Sequence, residues 1–92
     1  MFKLVVATVS LTMMLAASAQ ADGAAGGACA SKLTPDGQAI YAATMAAKPT
    51  MQNQRDVLEK ETKSLAFNNK IARGSARDNA KAAEACILAA LQ

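Results

Sequence analysis

The chain holds two cysteines, Cys29 and Cys86, set near opposite ends of the only stretch able to form a domain. From Asp22 to Gln92 there are thirteen sizeable apolar side chains besides alanine, running from Leu33 to Leu91. So thin a core falls in the size range where small domains need a covalent or metal staple. A Cys29–Cys86 bond would close a loop of 58 residues. The chain-entropy model values that closure at about 4 kcal/mol. The two thiols are too far apart in sequence for the closely spaced pair of a thiol–disulfide enzyme. An intramolecular staple is the expected use, and a bond between two chains is the alternative.

A disulfide needs an oxidising compartment, and the N-terminus reads as the address for one. Met1-Phe2-Lys3 is a short, positively charged start. Leu4 to Leu15 is a run of twelve residues, nine of them apolar, followed by small residues up to Asp22. That order is the order of a secretory signal peptide. Ala19 and Ala21 suit the shallow −3 and −1 pockets of a signal peptidase, which places cleavage before Asp22. Ala17-Ser18-Ala19 offers a second site. Twelve residues fall short of the roughly 20 a membrane-spanning helix needs. The expected organisation is a signal peptide over 1–21, a flexible Gly/Ala-rich arm over 22–33 and a helical domain over 34–92. The signal peptide would engage the export machinery and leave a soluble periplasmic or secreted chain, with a bacterial periplasm favoured.

The absence of histidine and tryptophan from the sequence removes whole classes of chemistry. Without histidine there is no Ser-His or Cys-His catalytic pair and no imidazole metal site. No phosphate-binding loop, nucleophile elbow or calcium-binding loop occurs. The segment from Asp22 onward carries nine basic and seven acidic side chains, too balanced to imply a nucleic-acid partner. The expectation is a protein that is not an enzyme and uses no cofactor or metal.

The helical signals are local. Thr34-Pro35-Asp36 is a start signal, with Thr as N-cap, Pro at the first helical position and an acid in the first turn. Eleven consecutive residues between Asp36 and Lys48 carry no charge, so this helix is expected inside the bundle, ending before Pro49. Thr50 can cap a second helix from about Met51, with Met51, Leu58 and Leu65 as its seam. Asp56–Lys60 and Glu59–Lys63 have the spacing of i,i+4 ion pairs. Phe67 and Ile71 fall off that seam, and Gly74 is the expected terminator. Ser75 and Asp78 resemble a capping box. Ala76, Ala80, Ala83, Ile87, Ala90 and Leu91 then form one apolar stripe, with Cys86 beside it. No strand-like alternation appears beyond Asp22. The fold class is therefore all-α, a small bundle of about three helices with one disulfide.

Two surfaces are candidates for function. The uncharged face bearing Ile40, Tyr41 and Met45 could contact another envelope protein or a second copy of this chain. Alternatively, Lys70, Arg73, Arg77 and Lys81 would align on one face if the helix ran through Gly74, making a weakly cationic site for an anionic envelope surface. Met45 and Met51 without histidine or thiolate make a poor soft-metal site. Asp56, Glu59 and Glu61 are interleaved with Arg55, Lys60 and Lys63, as on a solvated helix face.

Overall fold

The computed structural model describes residues 24–92. The signal peptide over 1–21 and its cleavage residues Ala19, Ala21 and Asp22 lie outside the described residues. Four helices follow one another: α1 (Ala24–Ala30), α2 (Pro35–Ala46), α3 (Gln54–Phe67) and α4 (Ala76–Leu91). The described residues contain no strand. The all-α expectation holds, with four helices among the described residues in place of about three. The additional helix forms inside the stretch expected to be a flexible arm.

Seven residues that include two glycines cannot hold a helix alone, because helix nucleation is unfavourable and glycine adds backbone entropy. Tertiary contacts supply what α1 lacks. Its Cys29 is bonded to Cys86 of α4, with the Cα atoms 5.3 Å apart. Gly26 is buried where α1 meets α4 and α2: a Cβ there would fall against the Ala90 side chain and the Tyr41 hydroxyl. Beyond the helix, the Ser31, Lys32 and Leu33 amides donate to the carbonyls of Gly27, Cys29 and Ala30 at 3.0–3.1 Å. The chain thereby winds directly into the next helix.

The start of α2 is as the sequence predicts. Thr34 Oγ1 accepts from the Gly37 amide at 3.0 Å, and Pro35 opens the helix. The same hydroxyl donates to Asn79 Oδ1 of α4 at 2.7 Å, so one cap also ties two helices together. The last turn closes when the Ala47 and Lys48 amides bond Thr44 and Met45 carbonyls, with Lys48 at φ 54°. That places the end within two residues of the expected one.

Thr50 does not cap α3 as expected; Asn53 is the N-cap, without a side-chain capping bond, and Thr50 sits one turn earlier. Its Oγ1 accepts from the Asn53 amide at 3.2 Å, and Asn53 Oδ1 accepts from the Thr50 amide at 2.7 Å. This reciprocal pair shapes a turn, and α3 begins after it at Gln54, so Met51 stays outside the helix. At the other end the Lys70 amide donates to Leu65 O at 2.9 Å and the Asn69 amide to Ala66 O at 3.1 Å. With Asn69 at φ 58° these bonds make a Schellman closure. Asn69 therefore takes the terminating role expected of Gly74. The early stop resolves the off-seam pair: Ile71 turns inward to 5 % exposure while Phe67 stays outside.

The α3–α4 loop is pinned from below. Asp36 Oδ2, in the first turn of α2, accepts from the Ala72 amide at 3.0 Å. Ser75 precedes α4 without making the expected capping bond; its hydroxyl meets Asn79 Nδ2 at 3.4 Å instead. In α4 the predicted stripe faces inward, with Ala83, Cys86 and Ile87 essentially fully buried. Ile40, Leu58, Ile71, Ala83 and Ile87 form the core, and α2 and α4 are the pair that meets every other helix. Thr44, also fully buried, satisfies its hydroxyl on the Ile40 carbonyl at 2.8 Å.

Candidate anion-binding groove

Of the face proposed from sequence at Ile40, Tyr41 and Met45, Ile40 is spent on the core while Tyr41 and Met45 remain half-buried. Ile40 has no exposed surface, and Tyr41 and Met45 pack against the core cluster. The charge-free run of α2 thus reflects a helix covered from several sides, which leaves Ile40 no part in an external contact. This corrects the contact-surface expectation at that residue.

The cationic set divides. An open groove of roughly 520 Å³ runs between α3 and the start of α4, lined by Leu58, Glu59, Thr62 and Lys63 on one side. Arg73, Ala76, Arg77 and Ala80 line the other. Arg73 and Arg77 are therefore brought together, joined by Lys63 across the groove. Lys70 and Lys81 are exposed and do not line it. For Lys70 the break at Asn69 is the reason, since a helix ending there cannot carry it onto the same face as Arg77.

Arg73 is held in place. Its Nε donates to the Ala66 carbonyl at 3.2 Å, and its guanidinium carbon lies 5.9 Å from the centre of the Phe67 ring. The loop cation is thus folded over the C-terminus of α3, where the backbone carbonyls favour positive charge. Beside it a smaller recess of about 190 Å³ is lined by Lys63, Ala66, Phe67 and Arg73. The two concavities share Lys63 and Arg73, so they form one continuous surface.

Glu59 alone opposes these three cations on the groove lining. Among the described residues Arg55–Glu84, at 3.3 Å, is the ion pair present. The expected Asp56–Lys60 and Glu59–Lys63 pairs do not close, which leaves Lys63 uncommitted. Glu84 bonds Arg55 and Gln54 Nε2, both at 3.3 Å, and so is occupied on the α3 side instead of neutralising Arg77.

Beneath the groove lies Thr62, 8 % exposed, whose hydroxyl has no hydrogen-bond partner. A buried hydroxyl without a partner is destabilising by about 1–3 kcal/mol. The remaining floor, Leu58, Ala76 and Ala80, is apolar. The arrangement is one of cationic rims over a largely apolar base, a combination that suits an anionic group. Among the described residues no three His, Cys, Asp or Glu side chains gather as metal ligands.

Sequence reasoning found Arg73 and Arg77 but missed Lys63, Thr62 and Phe67. The off-seam position of Phe67 was the one available signal. Compared with known proteins, the chain matches no protein-family model, no curated protein and no solved structure.

Proposed function

We propose that this chain is a small exported protein, not an enzyme, that works by binding anionic groups at the groove between α3 and α4. The observation that carries the reading is the convergence of Lys63, Arg73 and Arg77 on one concavity with a single acid, Glu59, among its lining residues. The order of the 1–21 segment and the Cys29–Cys86 disulfide support export to an oxidising compartment. This reading favours the cationic alternative of the sequence, narrowed to Arg73 and Arg77 and extended to Lys63. Guanidinium forks match the geometry of phosphate, sulfate and carboxylate oxygens.

A soluble polyanion, dextran sulfate, tests the reading by titration calorimetry with the oxidised Asp22–Gln92 protein. Binding should be strong at about 50 mM NaCl and fade by about 500 mM as screening shortens. The R73Q/R77Q variant should bind at least about tenfold more weakly, given roughly 1 kcal/mol for each phosphate-facing cation. Equal binding by the variant and the parent protein would remove the groove from the function.

A further inference from the structure

We propose that the surface around Phe67 is a docking face for anionic lipid bilayers, with Phe67 entering the interface while Lys63, Arg73 and Arg77 meet lipid phosphates. This rests on the anion-binding reading of the groove and names the partner. The first observation is Phe67 itself: it is 76 % exposed, the most exposed large apolar side chain described, although an aromatic ring gains by leaving water. Nothing in the core needs it, because the Schellman closure at Asn69 turns Ile71 inward and leaves Phe67 outside.

The second observation is the company Phe67 keeps. Its recess is lined by Lys63 and Arg73, and the Arg73 guanidinium sits beside the ring. Charge complementarity chooses the occupant. An apolar partner face would leave these cations desolvated without counter-charge, at a steep cost. A soluble anion would satisfy the cations but leave the ring in water. An anionic bilayer supplies both needs within one interface, apolar matter for the ring and phosphates at the level of the arginines. Aromatic residues beside Lys and Arg are the usual composition of surfaces that lie in the headgroup layer. No described helix is long and apolar enough to cross a membrane, so the contact is peripheral. One ring and three cations make a weak, salt-sensitive association.

The chain contains no tryptophan, so F67W places a single fluorescent reporter at the proposed point of entry. The probes are vesicles of phosphatidylcholine alone and of phosphatidylcholine mixed with phosphatidylglycerol. With the mixed vesicles, the indole emission of the F67W protein should shift to the blue and become protected from an aqueous quencher; with the neutral vesicles it should not change. In co-sedimentation, F67A should lower partitioning about tenfold and R77Q about fivefold, each with an unchanged circular dichroism spectrum. Emission that stays unshifted while the protein sediments with anionic vesicles would overturn Phe67 as the anchor. Binding to dextran sulfate without preference for anionic vesicles would overturn the lipid assignment and leave the groove reading standing. Failure to bind either probe would remove both.

Discussion

Gly26 and Gly27 are neighbours in the same short helix, and the structure assigns opposite consequences to the same substitution at each. Replacing a helical glycine by alanine gains about 0.8–1 kcal/mol through the backbone entropy of the unfolded chain. At Gly27 nothing lies within 4 Å of the new methyl group, so G27A should keep that gain. At Gly26 the methyl would meet Ala90 Cβ and Tyr41 Oη, with Ala90 Cα at 3.0 Å. The Tyr41 hydroxyl is the far end of a side chain, whereas the α4 backbone at Ala90 lies one turn from the buried Cys86 and Ile87. Overpacking of this kind costs about 1–3 kcal/mol. The propensity gain is common to both variants and cancels, so their difference measures the overpacking alone. For a domain of this size 1 kcal/mol shifts Tm by about 4–8 °C. Thermal unfolding followed by far-ultraviolet circular dichroism should place G27A above the parent protein and G26A at or below it. Amide exchange at residues 28–31 should show the same contrast locally. Placing G26A in an A90G background should recover part of its deficit, as a double-mutant cycle would show. Equal stabilisation by G26A and G27A would refute the close approach of α1 to α4.

The remaining expectations concern the staple, the core and the loop clamp. Reducing the disulfide, or replacing both cysteines by alanine, should lower the unfolding free energy by about 4 kcal/mol, read as a fall in the urea midpoint. I87A removes a fully buried side chain from the centre of the core and should lose about 2–5 kcal/mol in the same assay. D36A deletes the acceptor for the Ala72 amide and should lose about 1 kcal/mol, with faster exchange confined to the 70–74 loop. T62V removes a buried, unpartnered hydroxyl at nearly constant volume and should raise stability by about 1 kcal/mol. A fall in stability would show that the hydroxyl has a partner in solution.

Legibility differed from element to element for physical reasons. The α2 start was readable because Thr34, Pro35 and Asp36 act within one turn of backbone. The α4 stripe was readable because its period reports burial directly, and Ala83 and Ile87 are indeed wholly buried. The end of α3 was misplaced because Asn69, a residue less often left-handed than glycine, performs the closure while Gly74 keeps a negative φ. Helix α1 was missed because its glycines speak against a helix locally, and the contacts that override them lie far along the chain on Ala90 and Cys86. In the groove, Arg73 and Arg77 were visible as a charge set. Lys63 was assigned to Glu59 by spacing alone, and exposed i,i+4 pairs are too weak to enforce closure.

By itself, then, the sequence determined the helical class, the Thr34 cap of α2, the apolar stripe of α4, and the two cysteines that could be joined. It also determined what chemistry is missing, since no fold can supply an imidazole that the chain lacks. Tertiary structure decided that residues 24–30 are a helix, that Ile71 is core and Phe67 surface, and which cations share a groove. The helix at 24–30 and the groove depend on contacts between residues distant in the chain. Their energies appear only once α4 has been placed against its neighbours; the local pattern shows which face of α4 turns inward but not which residues that face meets.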